Sequence, residues 1–173
     1  MTGVQTCALP ISRETSDIFE FERDSDLVLG DYYPKYIEVS KLGELSSLET
    51  IKILKEHFAR HGIPSKLITY CGSQYASKEF GSFAESYNFE HVLVSPKHSK
   101  ANGEEEAAVK TVKSIWRKNK DKNSNKALLD YSATPIPVIG LSPSQLCMGR
   151  RLRTTLPTEK GLLKPEEIGR AHV

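Results

Sequence analysis

The chain has 173 residues, of which 38% are hydrophobic and 27% are charged, and its formal net charge is +2 at pH 7. This length suffices for one globular domain with a hydrophobic core, and no apolar run is long enough to span a bilayer. The first residues lack the basic and apolar regions of a signal peptide. The three cysteines, Cys7, Cys71 and Cys147, are far apart, which disfavours a disulfide framework and predicts a reducing compartment.

The two ends of the chain are predicted to be foreign to the domain. Residues 5–12 (QTCALPIS) can be encoded by a DNA string whose reverse complement encodes residues 167–173 (EIGRAHV). A sequencing adapter read in both directions gives this result, whereas two unrelated protein ends do not. We therefore expect residues 1–12 to be a disordered adapter-derived segment, residues 167–173 to be a second adapter-derived segment, and the native piece to be 13–166.

Charge is unevenly distributed along the chain. Residues 13–33 hold two basic and seven acidic side chains, whereas residues 97–126 hold nine basic and four acidic ones. Arg150, Arg151 and Arg153 form a second basic cluster. An acidic strand region facing a basic helical region suits a metal-dependent enzyme that acts on a polyanion, and an ordinary solvated surface gives the same pattern.

Three short strands are predicted in the first quarter of the chain. Within residues 16–42, apolar sets are separated by a polar turn at 22–25 and by Pro34. The three sets are Phe19/Phe21, Leu27/Val28/Leu29 and Tyr36/Ile37/Val39.

A helix is predicted next. Ser46 and Glu49 have the spacing of a capping box that begins it, and Gly62 and Pro64 end it. Its apolar stripe consists of Leu48, Ile51, Leu54 and Phe58. His57 and His61 have HxxxH spacing, but without a cysteine pair this favours an exposed helix feature over a zinc site.

Strands and helices alternate in the rest of the chain. The predicted elements are a strand at 66–69, a helix at 77–87, a strand at 91–94, a long helix at about 103–118, and short helical pieces at 127–132 and 141–149, with an extended segment at 150–157. The order β-β-β-α-β-α-β-α predicts a mixed sheet flanked by helices, which is the order of a ribonuclease-H-like domain.

Several motifs in this order are also those of a known family. They include SDIFEF, DYYPKYIEV, FARHGIPSKLIT, CGSQYASKEF, SPKHSKANGEEEAAVKTVK, ALLDYSATP and GLSPSQLCMGRRLRTTLP. Over essentially all of 15–157, the chain resembles the integrase core of gypsy-type LTR retrotransposons, a relative of retroviral integrase. The resemblance implies an α/β, ribonuclease-H-like five-stranded mixed sheet flanked by helices, with a catalytic core at 13–133 and a short helical C-terminal extension at 134–166.

The chemistry implied by this resemblance needs three carboxylates around two divalent metal ions, Mg²⁺ or Mn²⁺. The family's first aspartate corresponds to Asp17 on the first strand, and its glutamate corresponds to Glu106 on the long helix. Its second aspartate, at the end of the fourth strand, corresponds to Tyr70. The family keeps 35 residues between its second and third carboxylates, and 35 residues separate Tyr70 from Glu106.

Tyr70 thus stands where the family has an aspartate. A phenol has an ordinary pKa of about 10, so it is uncharged at neutral pH and adds no charge to hold a dication. The resemblance therefore implies that metal binding is weak or lost and that the chain is inactive as written. A single base change converts an aspartate codon into a tyrosine codon. Decay of a mobile element and an error in the sequencing reads are therefore both open as the origin of Tyr70.

The resemblance also implies DNA as the partner, both element ends and target, together with homo-oligomer formation, a nuclear location for the parent element and no membrane. The residues assigned to DNA are Lys97, Lys100, Asn102, Lys110, Lys113, Arg150 and Arg151. Glu106 shares a helix face with Lys110 and Lys113, so these lysines can approach phosphates beside the metals. A plain surface pair of Glu106 with Lys110 is the simpler interpretation of the same spacing.

Two other functions stay open at this point. A non-catalytic DNA-binding or assembly module would keep the fold and the basic surface without binding metal. A ribonuclease-H-like nuclease would need a substitute carboxylate, such as Asp31, close to Asp17 and Glu106.

Overall fold

The computed structural model describes residues 13–21, 23–70, 72–94, 105–119 and 124–163. The elements are β1 (Arg13–Phe21), β2 (Asp24–Asp31), β3 (Ile37–Leu42), α1 (Ser47–His61), β4 (Lys66–Tyr70), α2 (Lys78–Tyr87), β5 (Glu90–Val94), α3 (Glu105–Lys118), α4 (Ser124–Ala133) and α5 (Pro143–Met148), followed by a 3-10 turn at Lys160–Leu163. The predicted order of strands and helices is confirmed. The predicted adapter-derived ends lie outside the described residues, and the boundary between core and extension stays a prediction. No helix in the described part of the chain is long and apolar enough to cross a membrane.

Five strands form one mixed sheet in the order β3-β2-β1-β4-β5. β1, β2 and β3 are antiparallel neighbours, because short turns join them. β4 and β5 run parallel to β1, and α1 and α2 supply the crossovers that parallel pairing requires. The predicted five-stranded mixed sheet with flanking helices is therefore confirmed, and β1 lies at its centre.

Helices α1 and α2 cover one face of the sheet. Leu27, Leu54, Leu67 and Phe80 are fully buried in the layer between them. The Oγ atom of Ser46 accepts a hydrogen bond from the Glu49 N–H at 3.2 Å and begins α1. In a full capping box the Glu49 side chain would bond back to the Ser46 N–H. Here the Glu49 carboxylate instead forms an ion pair with the Lys52 ammonium at 3.3 Å.

Two predictions for α1 are wrong. Leu48 is predicted in the apolar stripe but is 71% exposed, whereas Ile53, which is not in the predicted stripe, is buried. His57 was expected on the surface but is fully buried. It can be buried because its Nε2 lies 3.0 Å from the Ser40 hydroxyl and its Nδ1 lies 2.8 Å from the Glu38 carboxylate, so both ring nitrogens have polar partners on β3.

Helices α3 and α4 cover the opposite face. Val112 of α3 is fully buried against Phe19 and Val28. The helix can approach the sheet this closely at Gly30, where a Cβ atom would lie 3.2 Å from both the Ala108 Cβ and the Thr15 Oγ1. The absence of a side chain at Gly30 thus sets the height of α3 above β1 and β2.

Helix α5 is short and has defined ends. Ser142 and Gln145 form a capping box, Pro143 occupies the first turn, and Gly149 ends the helix with a φ of 68°. The short helical piece predicted at 141–149 is confirmed.

Candidate active site

The parallel pairing of β1 with β4 brings Asp17 next to Tyr70. In this ladder Ser16 lies opposite Thr69, and the following residue on each strand is Asp17 or Tyr70. Because side chains alternate along a strand, both residues face the side that α3 covers, as Phe19 does. Tyr70 therefore lies beside Asp17 in the sheet.

Asp17 is half-buried and has a cation nearby. Burial raises the pKa of its carboxyl, while the Ile18 N–H, which donates to Oδ1 at 2.8 Å, and the charge of Lys113 both oppose that rise. The Lys113 ammonium lies 5.4 Å from the centre of the Phe19 ring, two residues along the same strand face. Asp17 therefore already faces a positive charge supplied by α3.

Tyr70 fills its position with a ring. The residue is half-buried and its hydroxyl oxygen is inaccessible to solvent. Glu106 lies in the first turn of α3, on the same side of the sheet, and its side chain lies outside the described part. Within the described residues no three His, Cys, Asp or Glu side chains converge on a possible metal position.

Tyr75 is a site-supporting residue that the sequence interpretation missed. It is 3% exposed, and its hydroxyl lies 2.8 Å from the Oγ atom of Ser16, the residue before Asp17. Its backbone N–H donates to the Gly72 carbonyl at 3.1 Å, which closes the turn that follows β4. An aromatic residue inside a polar Gly-Ser turn is a signal that could have identified it.

Comparison by sequence finds one relative of interest. No protein-family model matches the chain. The chain is 33% identical over 151 residues to the uncharacterized protein K02A2.6 of Caenorhabditis elegans. The match takes in 81% of this chain, which spans only 12% of that relative's length.

Comparison by structure identifies the fold. The chain superposes on the catalytic core domain of BIV integrase with a TM-score of 0.67 at 13% identity, covering 79% of this chain and 93% of that one. The chain has the fold of a retroviral integrase catalytic core. It also matches a cryo-EM structure of the simian T-cell lymphotropic virus intasome in complex with PP2A regulatory subunit B56 gamma. There the TM-score is 0.70 at 21% identity, over 88% of this chain and 59% of that chain. The predicted ribonuclease-H-like class is confirmed.

The chain carries a basic groove along α3. Lys110, Lys113, Arg117 and Lys118 line it together with Ser114. Lys110, Arg117 and Lys118 are exposed, while Lys113 is half-buried against Phe19. Of the other residues assigned to DNA, Arg150 and Arg151 are exposed in the segment after α5, whereas Lys97, Lys100 and Asn102 lie outside the described residues.

The fold does not bring Asp31 to Asp17. Asp31 pairs with Glu14 across β1 and β2, whereas Asp17 pairs with Val28. Because Glu14 and Asp17 are three positions apart on one strand, their side chains face opposite sides of the sheet. Asp31 therefore lies on the α1 side and cannot substitute for the missing aspartate in this geometry.

Proposed function

We propose that this integrase-type core is a fragment of a retrotransposon polyprotein whose parent enzyme integrates DNA by metal-dependent phosphoryl transfer. As written, the chain is inactive because Tyr70 replaces the second catalytic aspartate. The observation that carries this proposal is the pairing of β1 with β4, which sets Tyr70 beside Asp17 on the side covered by α3. The motif order and the integrase core fold support it.

The donor set explains the loss of activity. A pair of divalent ions held by three carboxylates would polarise the phosphate and orient the attacking and leaving oxygens. Asp17 and Glu106 supply two carboxylates at most, and Tyr70 adds a ring without charge. Mg²⁺ or Mn²⁺ binding is therefore weak or lost in this chain, because these ions require several oxygen ligands of high charge.

The test is the metal dependence of thermal unfolding in the parent chain and in Tyr70→Asp. Without metal, Tyr70→Asp lowers the melting temperature, because it places a second carboxylate beside Asp17. Added Mg²⁺ then raises the melting temperature of Tyr70→Asp, because an ion that binds only the folded state at 100 times its Kd adds about 2.7 kcal/mol of stability.

Two variants serve as controls for the metal test. Tyr70→Asn removes the ring without adding charge, and Asp17→Asn in the Tyr70→Asp background removes one ligand. Neither should respond to Mg²⁺. An equal metal response in the parent chain and in Tyr70→Asp would contradict the assignment of residue 70.

The α3 groove favours a second, separable activity, which is DNA binding without catalysis. Three exposed cations, Lys110, Arg117 and Lys118, lie along one helix and can contact successive phosphates. We propose that the chain binds duplex DNA here without sequence preference and assembles as a homo-oligomer. Weak or lost metal binding beside Tyr70 leaves DNA binding intact, because Tyr70 does not line the α3 groove.

A further inference from the structure

A cavity lies beneath the turn between β2 and β3, on the side of the sheet that α3 covers. The rings of Tyr32, Tyr36 and Tyr131 line it together with Thr15 and Thr111. Thr111 belongs to α3 and Tyr131 to α4, so the sheet, the turn and both helices of this side contribute to its walls. We refer to this cavity as the tyrosine pocket.

The tyrosine pocket is built into the fold. The Asp31 N–H donates to the Tyr36 carbonyl at 3.0 Å and closes the turn above the pocket. The Tyr131 hydroxyl donates to the Lys35 carbonyl at 3.0 Å and ties the same turn to α4. Lys35 has a φ of 54°, a left-handed conformation that a residue with a side chain keeps only when its surroundings hold it there. The pocket is therefore preformed, which favours binding.

The size and walls of the pocket select a single flat ring. Its volume is about 100 Å³. A cavity of about 150 Å³ accommodates benzene, so this partly open pocket has room for one six-membered ring with an edge at the mouth. Aromatic walls favour a ligand with a π face. A fused two-ring group exceeds the space.

The polar groups of the pocket suit a ring that carries an N–H donor. The Thr15 hydroxyl donates to the Gly30 carbonyl at 3.3 Å, so its oxygen is left as an acceptor. The Lys35 ammonium and the Arg13 guanidinium lie 4.5 Å and 5.1 Å from the centre of the Tyr32 ring. These cation–π contacts hold Tyr32 and place positive charge beside the pocket.

The tyrosine pocket adjoins the α3 groove. Thr111 of the pocket and Ser114 of the groove are three residues apart on α3 and are therefore neighbours on its surface. A nucleic-acid strand whose phosphates contact the groove can thus place a base in the pocket. That base must be unpaired, because a base inside a duplex is stacked and paired.

We propose that the tyrosine pocket binds one unpaired pyrimidine base of a single-stranded nucleic acid. The inference rests on the proposed DNA binding along the α3 groove and adds to it a preference for unpaired strands. Stacking on aromatic side chains is the usual way in which proteins hold unpaired bases. Tyr32 is 42% exposed and can be replaced without opening the core.

The first test compares a short oligodeoxythymidylate with a hairpin duplex of the same length by fluorescence anisotropy. Tyr32→Ala should weaken binding of the oligodeoxythymidylate by about tenfold, because stacking of one base has an effect of this order. Its effect on the duplex should be small. Tyr33→Ala is the matched control, because Tyr33 is a neighbouring ring that is 56% exposed and does not line the pocket. Equal losses for the two nucleic acids, or equal effects of the two variants, would overturn the proposal.

A second variant fills the pocket from α3. The parent chain should prefer the oligodeoxythymidylate to an abasic strand of the same length by about tenfold. Thr111→Trp should bind the two strands equally, with folding verified by circular dichroism. A folded Thr111→Trp chain that keeps the preference would contradict the proposed site.

Photo-cross-linking locates the bound base. An oligodeoxythymidylate that carries one iododeoxyuridine should cross-link to Tyr32, Tyr36 or Tyr131, as identified by mass spectrometry of the peptides. Excess thymidine monophosphate should suppress this cross-link more than deoxyadenosine monophosphate does. A cross-link confined to other residues would overturn the site, and equal suppression would overturn its choice of a single ring.

The same measurements separate this proposal from the proposed DNA binding. A chain that binds the duplex but does not prefer the oligodeoxythymidylate to the abasic strand refutes the pocket alone. Binding of the oligodeoxythymidylate through the pocket without binding of the duplex refutes only the duplex proposal. Binding of neither nucleic acid refutes both.

Discussion

The hydroxyl of Tyr75 lies 2.8 Å from the Oγ atom of Ser16, and this contact ties the turn after β4 to the strand that carries Asp17. Both residues are buried, so the pair is shielded from water. Burial also raises the pKa of the Tyr75 phenol, which keeps its hydroxyl protonated. The turn that follows Tyr70 is therefore held against β1 by a buried hydrogen bond rather than by apolar packing alone.

Removing one partner of this pair should cost more than removing both. Tyr75→Phe leaves the Ser16 hydroxyl buried without its partner, so we expect a loss of about 1–2 kcal/mol in the free energy of unfolding. Adding Ser16→Ala to Tyr75→Phe should recover part of that loss. Urea denaturation of the single and double variants measures both effects. Additive losses would show that the two hydroxyls do not interact in solution.

Glu14 should make stability depend on pH. The pKa of Glu14 is about 8 in the folded chain and 4.5 as its ordinary value, so the folded state binds this proton more tightly. Between pH 4.5 and about pH 8, folding takes up a proton at Glu14. Over this range the contribution of Glu14 to the free energy of unfolding falls by about 1.4 kcal/mol per pH unit as pH rises.

The variant Glu14→Gln removes this proton linkage. Relative to the parent chain, it should gain stability from pH 5 to pH 8 and stay level above that, as measured by urea denaturation at each pH. Glu20→Gln, an exposed site on the same strand, is the matched control and should leave the pH dependence unchanged. Parallel pH curves for Glu14→Gln and the parent would contradict the raised pKa.

The Glu38 carboxylate should contribute strongly to stability. It contacts His57, Arg60 and His61, and these hydrogen bonds overcome the effect of burial and hold its pKa far below the usual range. Glu38→Ala leaves the fully buried His57 without this partner, so we expect a loss of about 3 kcal/mol. Glu49→Ala, which breaks only the exposed pair with Lys52, should cost at most about 0.5 kcal/mol. Similar melting temperatures for the two variants would contradict this ranking.

The α3 groove should account for the salt dependence of DNA binding. Each lysine that neutralises a phosphate adds about 0.9 to the magnitude of the slope of log affinity against log salt. Lys110→Ala with Lys113→Ala should flatten the slope measured on duplex DNA by fluorescence anisotropy. Lys52→Ala with Lys55→Ala, on the opposite face, should leave it unchanged. The reverse result would place the DNA on the α1 side.

Two glycines should respond oppositely to the same substitution. Gly30→Ala places a methyl group 3.2 Å from Ala108 and Thr15, so α3 must shift and stability should fall by about 1–3 kcal/mol. A Cβ at Gly81, inside α2, meets no atom within 4 Å. Gly81→Ala should therefore raise stability by about 0.5–1 kcal/mol through helix propensity. Thermal unfolding of both variants measures these effects, and equal shifts in melting temperature would contradict the close approach of α3 at Gly30.

Most of the fold was predictable because local patterns decide it. The apolar sets of β1 to β3, the caps at Ser46 and Ser142, and the stop at Gly149 are local signals, and each is present in the structure. The spacing between Tyr70 and Glu106 predicted that Tyr70 stands at the second carboxylate position. The structure sets Tyr70 beside Asp17, while the catalytic role of either residue stays a prediction.

The errors concern partners that are distant in sequence. The buried position of His57 depends on Glu38 and Ser40 of another element, and no helical period reveals that choice. Likewise, the contact of Tyr75 with Ser16 joins residues that only the sheet brings together. Tertiary packing therefore decides these positions after local propensity has formed the elements.

The central position of β1 has a consequence for synthesis on the ribosome. Strands β1, β2 and β3 are consecutive, so they can pair as soon as residue 42 has left the exit tunnel. The other edge of β1 stays open until β4 has been made, because α1 intervenes between them. An open edge is a template for pairing with another chain. The nascent protein is therefore most prone to self-association in the interval between residues 42 and 70, and a chaperone that shields this edge should raise its yield.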